Sequence, residues 1–275
     1  VAALGKTAII MVGGGMRSAH GGGFLYALAT KLGITSPDIM IGSSGDAGNV
    51  VYFAAGQYES LRNIWCHLVS TSKFISFARL WKIVDVDYLI DEVFKIQDPL
   101  SLDNLSTTRI DWAIAVTNFN TGRSRYITSR DAVDIFEALR ASKALPVFFG
   151  KRVSLSGKKY FDGELGPTSD DHIAYARSRG AERIVLIEHQ PTHSIKTLLS
   201  IELIGLSVPP RTRTSLLRDQ LSPARRMDPA LSILRIRPKT PVGLLTRNPE
   251  LLQRAFELGV EDALAHEKEL RTLLA

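Results

Sequence analysis

Ser44 stands in the stretch Asp38-Ile-Met-Ile-Gly-Ser-Ser-Gly-Asp-Ala-Gly-Asn49. Ile39 to Ile41 reads as a short buried strand that stops at Gly42. Ala47 onward reads as a helix continuing through Val50, Val51, Phe53 and Ala54. A strand, a sharp turn and a helix form the setting in which a serine hydroxyl is lifted above a sheet edge. Its neighbours there must be small, and the N–H groups of the helix start face an anion. The pattern Gly-x-Ser-x-Gly is met at Gly42, but Asp46 occupies the place of the second glycine. A frame on Ser43 regains Gly45 and puts Ile41 first. Because the strand ends at Gly42, Ser44 is the preferred nucleophile, with Gly42 and Gly45 as the elbow glycines. Taken alone, the motif also fits a Ser-Gly turn with no catalytic role.

Two further segments carry chemistry. Lys6 to Val12 is a buried-strand pattern followed by Gly13-Gly14-Gly15, then by Met16-Arg17-Ser18 and a helical run with Phe24, Leu25, Leu28 and Leu32, closed by Gly33. Such a loop presents several backbone N–H groups at a helix start. A dinucleotide site would need a third glycine where Ser18 stands and an acidic residue at the end of the next strand. A P-loop would need Gly-Lys-Ser/Thr. An oxyanion hole needs only donors near a nucleophile, and the elbow lies on the very next strand, so that reading ranks first. His20-Gly21-Gly22-Gly23 falls inside the predicted helix and reads as a close-packing face. The third segment is Asp162-Gly163, delivered by the hairpin Arg152–Phe161 that turns at Ser156-Gly157. An aspartate at a strand end can serve as a base, and it can equally be a bare Asp-Gly turn.

These segments need a frame of buried strands and helices. The 275 residues, 45% hydrophobic and 23% charged, suit one soluble α/β domain spanning residues 1–275. One cysteine, Cys66, excludes an internal disulfide framework and a cysteine metal cage. No run of ~18 apolar residues predicts a transmembrane helix, and Val1–Met11 lacks the features of a secretory leader. A cytoplasmic location follows as an expectation. The net charge of +6 and pI near 9.5 permit contact with anionic lipid or nucleic acid.

Along the chain, Gln57–Val69 reads as a helix. Residues 70–95 interleave Phe74, Ile75, Phe77, Leu80, Trp81, Ile83 and Val84 with Lys73, Arg79 and Lys82. This insertion reads as a lid or membrane-contacting surface, or as a pair of core-packed helices. Ile110–Asn118 and Arg125–Thr128 form a hairpin, and Asp131 caps a helix through Leu139 that Pro146 ends. Ser169–Arg179 is a helix, Arg183–Glu188 a strand and Thr192–Val208 an apolar helix. Pro209–Pro229 is a basic loop with Arg211, Arg213, Arg218, Arg225 and Arg226. Leu231–Arg237 is a strand, and Asn248–Leu274 one long helix.

Four segments in one order carry a resemblance. Gly13-Gly14-Gly15-Met16-Arg17 resembles the Gly-Gly-Gly-x-Arg oxyanion motif of bacterial patatin-like phospholipases, and Gly42-Ser43-Ser44 their nucleophile elbow. Ala138-Leu-Arg-Ala-Ser-Lys-Ala-Leu-Pro146 resembles their "ALRASxAxP" helix, and Asp162-Gly163 their catalytic Asp-Gly. The resemblance implies a three-layer α/β/α sandwich with a mainly parallel central sheet and a Ser/Asp dyad hydrolysing lipid acyl esters, of phospholipase A or lysophospholipase type. Carried over, Ser44 is the nucleophile and Asp162 its base. The N–H groups around Gly14, Gly15 and Met16 bind the oxyanion, and Arg17 stabilises charge there. The expected partner is a lipid or acyl-ester substrate, with peripheral contact to anionic membrane; no cofactor, metal or nucleic acid is expected.

Asp46 departs from the pattern. A carboxylate there either bonds to helix N–H groups or repels the anionic intermediate, which would make a weak or inactive member. A Ser-His-Asp triad drawing on His189 or His193 is a further alternative. So are a non-catalytic membrane scaffold and a nucleotide- or nucleic-acid-binding protein that uses the glycine loop and the basic stretch.

Overall fold

The computed structural model describes residues 5–79, 82–189, 209–210, 212 and 231–274. Five strands run parallel, with β1 (Lys6–Val12) at the centre. β2 (Ile39–Gly42) and then β3 (Asp111–Asn118) lie on one side of it, β7 (Ala181–Glu188) and β8 (Ser232–Ile236) on the other. β3 carries two antiparallel partners on opposite edges, since Thr117 pairs both with Ser124 and with Phe161. β4 (Ser124–Thr128) lies along the edge away from β2; β6 (Lys158–Phe161) continues the β2 side beyond the end of β2 and pairs in turn with β5 (Val153–Leu155).

Parallel strands need cover on both faces, and their alternation supplies it. Ile9, Met11, Met40, Ile114, Val116 and Val185 turn to one face. Ala8, Ile10, Ile39, Ile41, Ala113 and Ile184 turn to the other, against Ile173 and Ala176 of α6 (Ser169–Ser178). The first face carries α1 (Ser18–Thr30), α2 (Ser44–Ala54), α5 (Ile135–Ser142), α7 (Pro249–Ala265) and α8 (Glu267–Leu274). Helices on both faces of a mostly parallel sheet make the expected three layers. The short helices α3 (Tyr58–Asn63) and α4 (Leu102–Thr107) pack beside α2.

Helix α1 is buried from Ser18 to Ala29, and its small residues explain how. A Cβ added at Gly23 would run into the carbonyl of Phe256, and one at Gly259 into that of His20. The backbones of α1 and α7 therefore meet with no side chain between them. The His20–Gly23 run is a packing face, as its place inside a helix implied.

Several elements differ from expectation. Asp134, not Asp131, caps α5 by accepting from the N–H groups of Phe136 and Glu137. The Asp131 carboxylate is occupied by Thr128 and by Arg125. The C-terminal helix is broken at His266 into α7 and α8. In place of the expected pair of helices, the described residues of 70–85 form an irregular run closed by an antiparallel bridge between Ile75 and Val84. One core-packed helix follows from Val86, π-helical over Tyr88–Gln97. The expected helix over 192–208, most of the basic stretch 209–229, and Leu80, Trp81 and His193 lie outside the described residues.

Candidate active site

The elbow forms where β2 meets α2. The helix starts at Ser44 rather than at Ala47, because the Ser43 carbonyl already accepts from the N–H groups of Asp46 and Ala47. Ser44 lies at φ +48°, a left-handed conformation that costs a non-glycine residue about 1–3 kcal/mol and gathers at functional sites. Its Oγ donates to Oδ2 of Asp162 at 2.8 Å, and its N–H donates to Ser142 Oγ at 3.0 Å. Ser43 is fully buried with an extended backbone and does not face the cavity. Both elbow glycines are needed for space. A Cβ at Gly42 would stand 2.8 Å from the Asp46 carbonyl, and one at Gly45 2.6 Å from the Gly15 carbonyl.

Asp162 sits at the end of β6, 2% exposed. Its N–H donates to the Ala144 carbonyl, and that of Gly163 to Ser142, so the turn is stapled to the end of α5. Gly163 must be glycine because a Cβ there would strike the Ala115 carbonyl. Burial pushes the Asp162 carboxyl up to about 6, against the Glu164 N–H, the Ser44 hydroxyl and the Lys143 charge. A carboxyl poised near neutrality with its oxygen on a serine hydroxyl has the geometry and proton affinity of a general base.

The glycine loop folds against this pair. A Cβ at Gly13 would lie 2.5 Å from Ser44 Cβ. Gly13 N–H donates to Ser43 Oγ at 3.0 Å and to Glu164 Oε2 at 3.1 Å. Among the described residues, the N–H groups of Gly14, Gly15 and Gly45 have no acceptor. Met16 differs from expectation: its N–H donates to the Leu244 carbonyl at 3.0 Å and is not available to an oxyanion. Arg17 Nε likewise donates to the Val242 carbonyl at 2.9 Å. Both contacts hold the loop to residues 242–245.

Asp46 is fully buried and does not line the cavity. His189 Nε2 lies 2.7 Å from its Oδ2, and Asn49 Nδ2 donates to its Oδ1 at 2.8 Å. Its carboxylate occupies the space left by Gly21, where a Cβ would collide with Oδ1. Of the two outcomes expected for Asp46, its carboxylate is hydrogen-bonded, through side chains rather than helix N–H groups, and its charge still acts on Lys143 and Glu164. His189 is engaged there rather than with Ser44, and no described histidine reaches that hydroxyl. Lys143, 8% exposed, donates from Nζ to the carbonyls of Ser44 and Gly45. Burial lowers its ammonium to about 8, opposed by Asp46 and Asp162. Sequence reasoning passed over Lys143, Ser142, His189 as a partner of Asp46, and Glu164. The first two lie inside the 138–146 motif; nothing in the sequence marked Glu164.

Ser44, Asp162 and Gly13–Arg17 open onto a cavity of about 390 Å³. Most of its lining is apolar, with Leu61, Trp65, Phe74, Val86, Leu89 and Phe149 among it. Residues 70–86 supply part of this wall. Their Arg79 and Lys82 are tied to Asp85 and Asp87. Among the described residues no three His, Cys, Asp or Glu side chains converge as a metal site, and no helix is long and apolar enough to cross a membrane.

Comparison with known proteins gives three findings. The family model described as patatin-like phospholipase matches residues 9–169. The Escherichia coli K12 protein described as uncharacterized protein YjjU is 26% identical over 208 residues, which cover 70% of this chain. The match takes in 54% of YjjU, so the chain spans about half the length of that relative. The crystal structure of VipD from Legionella pneumophila shares the fold with a TM-score of 0.57 at 11% identity. That likeness covers 96% of this chain and 67% of VipD.

Proposed function

Because the chain belongs to the patatin-like phospholipase family, we propose that it is a lipid acyl hydrolase in which Ser44 is the nucleophile and Asp162 its base. One observation carries the reading: the strained Ser44 places its Oγ 2.8 Å from a buried carboxyl group whose pKa is pushed up to about 6, on the wall of a largely apolar cavity. Ser44 Oγ attacks the acyl carbon as its proton passes to Asp162 Oδ2. The carbonyl electrons move onto oxygen, where the N–H groups of Gly14, Gly15 and Gly45 receive them. Each such donor is worth roughly 3 kcal/mol in the transition state. The intermediate collapses, the C–O bond to the leaving alcohol breaks, and Asp162 returns the proton to that oxygen. Water then attacks the acyl-serine with Asp162 again as base.

The acyl chain lies along the apolar wall. A carboxylic ester hydrolase of phospholipase A or lysophospholipase type, working at the surface of anionic membranes, fits a cavity that joins Ser44, Asp162 and the glycine loop to a largely apolar lining. The orientation of Asp46 towards His189 favours an active member over an inactive scaffold.

The test is labelling with a fluorophosphonate probe and peptide mapping of the adduct. The adduct is expected on Ser44, retained in Ser43→Ala, and lost in Ser44→Ala and Asp162→Asn. An adduct that survives Ser44→Ala would assign the nucleophile elsewhere. No adduct on the folded wild type would sink the hydrolase reading.

A further inference from the structure

Glu164 follows the Asp162-Gly163 turn and folds its side chain back into the site. Its own N–H donates to Asp162 Oδ1 at 2.9 Å. Its Oε2 receives the Gly13 N–H at 3.1 Å and the Ser43 hydroxyl. One residue thus touches the base, the glycine loop and the elbow. Gly13 has no side chain by which to be held, since the space a Cβ would need belongs to Ser44. The direction of its N–H is therefore the handle on the start of the loop, whose far end Met16 and Arg17 hold, and turning that peptide plane turns the ones that follow it.

We propose that Glu164 is a positioning residue of this site: beside the direct bond from Gly13 N–H to Ser43 Oγ, its carboxyl group ties the Gly13 peptide to the Ser43 hydroxyl and sets the angle at which Gly14 and Gly15 present their N–H groups to Ser44. The inference rests on the hydrolase reading above. The charge state follows from the neighbours. Asp162 and Asp46 are the anions closest in effect. Lys143 donates to the Ser44 and Gly45 carbonyls. His172 Nε2 stands 4.0 Å away. That imidazole is fully buried, its Nδ1 faces the Tyr126 hydroxyl at 3.0 Å, and burial drops it to about 4, so it brings no positive charge. Among the described residues no lysine or arginine forms an ion pair with Glu164. Burial, reinforced by Asp162, pushes its carboxyl up to about 8 against the Ser43 hydroxyl and the Gly13 N–H that donate to it, even though 26% of the side chain still faces the cavity. An uncharged group suits the place, because it holds the loop without setting a second anion beside the oxyanion.

The experiment compares wild type with Glu164→Gln, Glu164→Ala and Glu164→Met on p-nitrophenyl butyrate, with fluorophosphonate labelling rates alongside. Methionine keeps the bulk and removes the acceptor; glutamine keeps an uncharged acceptor. Alanine and methionine are expected to lower kcat by about ten- to a hundredfold, the scale of a misplaced oxyanion donor, with KM within about twofold. Glutamine is expected to restore kcat to within about threefold of wild type, as its amide oxygen accepts the same two donors. Wild-type kcat in Glu164→Met would overturn the clamp, and a Gln variant as slow as Met would overturn the uncharged form. A wild type inert to both reagents would bring down the hydrolase reading and this inference together.

Discussion

Replacing Asp162 by asparagine should abolish reactivity and stabilise the fold at neutral pH, and the two effects share one cause. The carboxyl is 2% exposed and titrates near 6 instead of its ordinary 3.8. The folded protein thus holds a proton that the unfolded chain releases earlier. A group raised in this way contributes stability that is complete below pH 3.8 and is lost as pH climbs through about 6. Above pH 7 the loss is complete, and the displacement corresponds to about 3 kcal/mol. Asparagine has the shape of the protonated acid and does not ionise. Its amide can keep both neighbours, accepting from the Glu164 N–H and facing the Ser44 hydroxyl. Urea melts of wild type and variant from pH 4 to pH 8 provide the assay, because their difference cancels every other titrating group. Asp162→Asn should be more stable by up to about 3 kcal/mol at pH 7, with the gap closing towards pH 4. Labelling of the variant should fall by about 10² to 10⁴, the worth of a general base. Wild-type labelling should itself drop about tenfold from pH 7 to pH 5 as the carboxylate is protonated. A variant less stable than wild type at pH 7, or a gap that ignores pH, would refute the claim that Asp162 is held ionised against its environment.

Other substitutions test the supports. Gly13→Ala puts a Cβ 2.5 Å from that of Ser44, so labelling should be lost, with about 1–3 kcal/mol of stability, read from labelling and melts. Asp46→Gly restores the motif glycine yet should harm the protein. It strips buried acceptors from His189 and Asn49, and urea melts should show a loss of about 2 kcal/mol or more with no gain in labelling rate. Lys143→Met removes a cation that holds the Asp162 carboxyl down. The acid limb of the labelling profile should therefore move to higher pH, and a limb that stays or moves down would contradict the assignment.

The chemistry-bearing turns were legible because glycine and strand patterns leave few alternatives. A buried strand that ends at Gly42 fixes where an elbow must lie, and a hairpin turned at Ser156-Gly157 fixes where Asp162 emerges. The layers were legible for the same reason: continuous apolar strands such as Lys6–Val12 need cover on both faces. What stayed hidden depends on residues distant in sequence. Whether Met16 N–H is free depends on Leu244, 228 positions later by subtraction of the residue numbers. Whether Asp46 harms the site depends on Gly21 making room and His189 supplying a partner. The choice between Asp131 and Asp134 as a helix cap turned on Arg125 and Thr128 claiming the first. Local pattern cannot decide such contests, since two positions offer the same chemistry and a third residue chooses.

The division between shared and private features follows from this. Residues 9–169, which match the family, hold the proposed nucleophile, base and oxyanion donors. Much that braces those groups comes from beyond that range. Val242 and Leu244 pin the glycine loop from behind, and the side chains of Leu244 and Leu245 join the cavity wall. His189 fixes Asp46, while α7 sets the position of α1 through the contact of Gly23 with Phe256. Catalysis of this kind rests on donors that are already in place when charge develops, and a displacement of about 1 Å is enough to lose two orders of magnitude. The braces therefore bear on rate as much as the motif does. Leu244 and Leu245 also line the cavity, so on the proposed function their substitution should alter acyl-chain preference and kcat together, read from p-nitrophenyl esters of increasing chain length. Substitutions at Leu61 or Trp65, which line the cavity without touching the glycine loop, should alter preference alone.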